Sequence, residues 1–244
     1  MYGGVNMDLK RMFVRYFYAL LILLSLIAPP TQVFAGNDNW CSPSDSPKIN
    51  IHTSTDQVFY NFTLSEKQLD NFSVSTVSPY SSNVITDVGG LMKGGIETQQ
   101  RMNFGTMTNR TTGQICYWHD SMEVYMHIKP TIYVASNFPK GSCMHTAILE
   151  HEHKHVLVDR EIVNKYAALI GQALRDDITR YRVYGPIPLS QEQALASQMK
   201  ERMKSILMKY TNQMSTERRQ RQQQIDSLSE YERVNNLCPK DKRR

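Results

Sequence analysis

From Thr146 to Val183 the chain contains no proline, and apolar residues recur through it at spacings of three and four. Ile148, Val156, Ile162, Val163, Ile170, Leu174 and Ile178 fall in this pattern, which predicts one long amphipathic helix. Ser142 or Thr146 can cap its start. Few other segments of the chain are so constrained, because a helix of this length must run the full depth of an ordinary domain.

Inside that helix sits His151-Glu152-His153-Lys154-His155, an H-E-x-x-H pattern. Residues four apart share a helix face, so His151 and His155 can direct ring nitrogens at one metal ion. Glu152 then lies beside the ion, where a carboxylate can take a proton from a water held there. His153 lies about 160° around the helix from His155 and is expected to face solvent or support the site. The competing reading is a His-rich solvated face, or a helix that has kept the pattern without the chemistry. His119 and His127 stand alone in strand-like segments and read as ordinary polar strand residues.

A catalytic zinc site takes three protein ligands, so a third is needed. Asp159 is one turn beyond His155, but residues 151 and 159 are about 12 Å apart along a straight helix, too far to converge on one ion. The break at Gly185-Pro186-Ile187-Pro188 is followed by a second helical pattern, with Ser190 and Gln193 as a capping box. Its stripe of Leu195, Met199, Met203, Ile206, Tyr210 and Met214 is interrupted by Glu217, Arg221 and Gln224 before Ile225 and Leu228. A hairpin turning near Pro186 makes the helices antiparallel and sets position 155 opposite 217. Glu217 is therefore the expected third zinc ligand, with Asp159 and then Asp176 or Asp177 next in line.

Upstream of the helix the pattern changes to that of strands. Val58, Tyr60 and Phe62 alternate within Ile49 to Val77, and the strand signal returns from Gln99 to Phe138. Ser78 to Gly95, with Pro79 and four glycines, reads as loop, flanking a short strand at Val84-Ile85. The fold class is α+β: a small antiparallel sheet, the long motif helix, then an antiparallel C-terminal helix. Thr131 to Ala135 or Val124 to Ile128 is the expected edge strand, where an extended peptide could pair by its backbone.

Residues 1–35 read as a secretory signal. Lys10, Arg11 and Arg15 precede an apolar run from Phe17 to Ala28, and Val33-Phe34-Ala35 offers cleavage before Gly36. That run is short against the ~20 residues needed to span a membrane. The expected product is exported, periplasmic or secreted, with no membrane span. Domain organisation follows: 36–183 as an α+β unit carrying the motif helix, and 184–244 as a C-terminal helix with a basic tail.

Cys41, Cys116, Cys143 and Cys238 then read as two disulfides, with three possible connectivities. Cys116 and Cys143 bracket one compact stretch, and Cys41 and Cys238 lie near the two ends, so 116–143 and 41–238 are the expected pairs. Charge is uneven: residues 36–199 carry 13 basic and 16 acidic side chains, residues 200–244 carry 12 and 6. In an exported chain the basic end reads as a solvated helix face, and no nucleic-acid partner is expected.

The run Cys116-Tyr117-Trp118, Ile132-Tyr133-Val134-Ala135, Gly141-Ser142-Cys143 and Leu149 to Val156 resembles bacterial secreted zinc-dependent proteases of the H-E-x-x-H type, the zincins. Ile225-Asp226-Ser227-Leu228-Ser229-Glu230-Tyr231 looks like the tail of such proteins. The resemblance covers about residues 110 to 238. It implies a zincin-like fold, a bound Zn2+, peptide or protein substrates, His151 and His155 as ligands and Glu152 as general base. The metzincin branch is not matched, since its glycine and third histidine positions are Val158 and Glu161 here. The alternative reading is a disulfide-stabilised binding module of the cell envelope, with a structural metal or none.

Overall fold

A computed structural model describes residues 40–43, 45–72, 76–80 and 88–239. The expected leader at 1–35, the short strand at Val84-Ile85 and the basic end from Lys240 lie outside the described residues.

The motif helix is α2, Cys143–Arg180, 38 residues long and so about 57 Å end to end. Ser142 caps it by accepting from the His145 backbone N–H. Its apolar stripe packs on two sheets. The larger has β5 (Gln114–Ile128) at its centre, with β4 (Ile96–Asn109) antiparallel along one side. Strand β1 (Lys48–Thr55) runs parallel to β5 over Ser121 to Ile128, and β7 (Tyr184–Pro188) runs antiparallel to its first residues. The smaller sheet has the order β2 (Phe59–Asn61), β6 (Thr131–Val134), β3 (Gly90–Lys93). A short helix α1, Glu66–Leu69, lies between β2 and β3 in the chain. Helices α3 (Glu192–Ile225) and α4 (Leu228–Asn236) complete the fold.

Alternation explains the layering. Met122, Val124, Met126 and Ile128 point from β5 toward α2 and are buried against Ile162, Tyr166, Ile170 and Leu174. Met203, Leu207 and Met214 of α3 close the same core from the other side. Removing water from one such side chain stabilises the fold by about 1.5–3 kcal/mol.

The α+β class is as expected, with the antiparallel C-terminal helix; the sheets differ. They are mixed, because β1 and β2 enter parallel to β5 and β6. His119-Asp120 sits inside β5. There the register slips, with Asn103 opposite Ser121 but Phe104 opposite His119, so Asp120 is absorbed as a bulge. The edge strand is also corrected. Thr131–Val134 and Val124–Ile128 are interior to their sheets, while the segment read as loop supplies edge strand β3. Glycines masked it, and packing requires one of them: a Cβ on Gly90 would lie 2.3 Å from Ile148 Cγ2 and 3.0 Å from the Tyr133 carbonyl.

The disulfide pairing is corrected too. Cys41 bonds Cys116 and Cys143 bonds Cys238, not 116–143 and 41–238. Strand β5 carries Cys116 at its start, beside β7, which follows the end of α2. Cys143 stands at the beginning of α2. The two cysteines are thus at opposite ends of the domain, and no compact loop brings them together.

Candidate metal centre

Helix α2 presents His151 and His155 one turn apart, both buried, with ring centroids 5.1 Å apart. Between their Nε2 atoms stands a carboxylate from the turn joining α3 to α4. Asp226 Oδ1 lies 3.2 Å from His151 Nε2 and 3.2 Å from His155 Nε2. The donor atoms of these three buried residues all lie within 4.8 Å of one another.

The outer ring nitrogens decide what the inner ones offer. His155 Nδ1 donates to Gln222 Oε1, and His151 Nδ1 approaches Glu230 Oε1 at 3.3 Å. With a proton on each Nδ1, both Nε2 atoms present lone pairs to the carboxylate. Three acceptors then face one point, a set that repels itself unless a cation joins it, and two imidazoles with a carboxylate suit a divalent metal such as zinc. Without a cation, protons take that place. Burial is the largest single influence and would lower both imidazoles, but the Asp226 hydrogen bonds together with the Glu152 charge and smaller contributions outweigh it; His151 is raised and His155 is pushed up to about 8. For Asp226, burial is likewise outweighed by the bonds from His151 and His155, and its carboxyl is held well below the usual range. Arg233 and, against the opposing pull of burial, Lys154 hold Glu230 down to about 2.

Glu152 is buried beside the two histidines and accepts from the Met92 backbone N–H of β3. Burial raises it to about 7, the nearby imidazoles pulling the other way. It opens on a cleft of about 420 Å3 lined by Gly90 to Gly94, Glu152, His155, Arg218, Asp226 and Tyr231 among others. The Tyr231 phenol is bonded to Asp226, and its ring meets that of His151 edge-on at 5.7 Å.

The histidines and Glu152 thus come together as the motif requires, and Glu217 does not join them. Its carboxylate takes Lys165 Nζ at 2.6 Å and the Tyr166 hydroxyl at 3.1 Å, almost three turns along α2 from His155. The reason is the connection. Strand β7 and a 3-10 turn at Leu189–Gln191 replace a tight turn at Pro186, moving the pivot of the hairpin about three residues along the chain. Facing positions shift by twice that, so Gln222 meets His155 and Asp226 meets His151. Asp159 pairs with Arg218, and Asp177 with Arg202. His153 reaches Tyr60 instead of the donors. His127 bonds Ser54 and Asp56 on the larger sheet. His119 is buried between Phe104 and Tyr184. Asp226, Glu230 and Tyr231 were missed as site residues, although all three lie in the tail segment 225–231 that carries part of the resemblance.

No protein-family model, curated protein or solved structure matches this chain. Among the described residues, no helix is long and apolar enough to cross a membrane. The two disulfides are compatible with an oxidising compartment.

Proposed function

We propose that the protein is a zinc-dependent metallopeptidase of zincin type, with His151, His155 and Asp226 as ligands and Glu152 as general base. The observation that carries this reading is the convergence of the three donors beside a buried Glu152, in one cleft with edge strand β3. A divalent ion held there would polarise a carbonyl and acidify a bound water.

The chain's own residues supply the rest. The Met92 N–H of β3 is taken by Glu152, so an extended peptide would pair with the other outward-facing backbone groups of the strand, along the cleft. Glu152, raised to about 7 by burial, has the affinity to accept a proton from water near neutral pH and return it to the leaving amine. The Tyr231 phenol lines the same cleft and, turned from its bond to Asp226, could donate to oxygen as charge develops on the attacked carbonyl. Glu230 keeps the His151 imidazole oriented through its Nδ1 atom. Among the described residues the group numbers three; a fourth position taken by water would favour an enzyme over the structural site of an envelope binding module.

The test is metal content together with hydrolysis of an unfolded protein such as casein. Glu152→Gln keeps shape and ligands but cannot accept the proton, so zinc should remain bound while turnover falls about 100-fold or more. Wild-type turnover in that variant would sink the assignment of the base. Zinc bound without any hydrolysis by the wild type would favour the binding module.

A further inference from the structure

Asp159 is the most deeply buried charge in this region, fully enclosed, and it is not a metal ligand. Its carboxylate accepts from Arg218 Nε at 2.6 Å and from a second Arg218 nitrogen at 2.9 Å. A third bond comes from Gln222 Nε2 at 2.7 Å. Arg218 is only partly buried and lines the cleft, whereas the enclosed Asp159 carboxylate depends on fixed donors, so its bonds set the directions of the side chains that make them.

Gln222 is one such side chain. Its Nε2 donates to Asp159 and also to the His155 backbone carbonyl, at 3.1 Å. Both amide hydrogens are then committed, and only Oε1 faces His155 Nδ1. An oxygen there accepts, so Nδ1 of His155 must carry a proton, and when a cation occupies the centre the remaining lone pair is that of Nε2, beside Asp226 Oδ1. The Asp159–Arg218 pair sets the direction of the amide, and the amide sets the tautomer of the histidine. Arg218 also donates to the Gly94 carbonyl at 3.2 Å, just past the end of β3, which anchors the same chain of bonds to the edge of the cleft.

We propose that Gln222 is a positioning residue for the metal centre. It locks His155 in the Nδ1–H form that leaves Nε2 free for a metal, and the Asp159–Arg218 pair locks Gln222. The proposal rests on the metal reading of His151, His155 and Asp226. It explains the residue type: the position must accept from a ring N–H and donate to a carboxylate at once. Glutamate could only accept and would meet the Asp159 carboxylate; methionine could do neither.

The experiment measures zinc affinity of the full chain by chelator competition, nitrogen-edited NMR of the zinc-loaded imidazoles, and the thermal midpoint of the metal-free protein. Wild type should bind one zinc with the His155 proton on Nδ1. Gln222→Met and Gln222→Glu should each weaken zinc by about 10–100-fold. Gln222→Glu combined with Asp159→Asn restores a donor opposite an acceptor and should recover affinity to within about threefold of wild type. A purely structural role would lower the metal-free midpoint without that recovery. The proposal is overturned if zinc-loaded wild type carries the His155 proton elsewhere, which needs no variant to fold. It is also overturned if the paired substitution recovers nothing, or if Gln222→Met binds zinc within about twofold of wild type. A wild type that binds no zinc overturns the metal reading first, and is thereby distinguished from failure of the positioning role.

Discussion

Removing the Cys143–Cys238 bridge should damage the metal centre out of proportion to its effect on stability. The bridge closes a chain separation of 95 residues, and Cys41–Cys116 one of 75. Chain-entropy models assign these loops about 4.7 and 4.5 kcal/mol, nearly equal. Their placement is not equal. Cys143 begins the motif helix and Cys238 follows α4, so the bridge pins the segment that holds Asp226, Glu230 and Tyr231 against His151. Cys41–Cys116 fastens the start of β5, at the far end of α2. Paired Cys→Ser variants of each bridge should therefore lose similar unfolding free energy in denaturant titrations. Only the 143–238 variant should lose zinc affinity, by about tenfold or more at matched folded fraction, as expected when a ligand segment is freed to move. Equal loss of zinc affinity in the two variants, or none in the 143–238 variant, would refute the reasoning.

Two further perturbations test other parts of the account. Burial, with Arg202 nearby, lowers His119 to about 4 despite the opposing pull of Asp177. The unfolded chain binds that proton from about pH 6.5 downward while the native chain does not, so stability falls as pH drops from 6.5 toward 4. His119→Phe removes this term, and its unfolding free energy should fall by about 2 kcal/mol less than wild type between pH 7.5 and 5; parallel pH profiles in chemical denaturation would contradict it. Gly90→Ala should push β3 from α2, because the new Cβ would meet Ile148 at 2.3 Å. A stability loss of about 1–3 kcal/mol is expected in denaturant titration, and unchanged stability would mean the strand yields freely.

Much of this arrangement is legible in the sequence, and the illegible parts share a cause. The motif helix declares itself by its period and by the spacing of His151 and His155, both local properties. The third ligand is not local. It depends on the register between α2 and α3, and β7, a strand of five residues containing two prolines, shifts that register by more than a helical turn. Glu217 interrupted an apolar stripe for a different reason, its bond to Lys165 on the facing helix. Strand β3 escaped because the glycine that lets it lie against Ile148 also erases the alternation by which strands are read. The cysteine pairs followed proximity in the chain, whereas β5 and α2 carry Cys116 and Cys143 to opposite ends.

The central claim is that Asp226 completes a metal site with the two motif histidines. Zinc titration of wild type, Asp226→Ala and Glu217→Ala, each checked for folding by circular dichroism, tests it most directly. One zinc should bind to wild type and to Glu217→Ala with equal affinity, and Asp226→Ala should lose about 100-fold or more, as for a first ligand rather than a supporting group. Undiminished zinc binding in folded Asp226→Ala, or its loss in Glu217→Ala, would contradict the account.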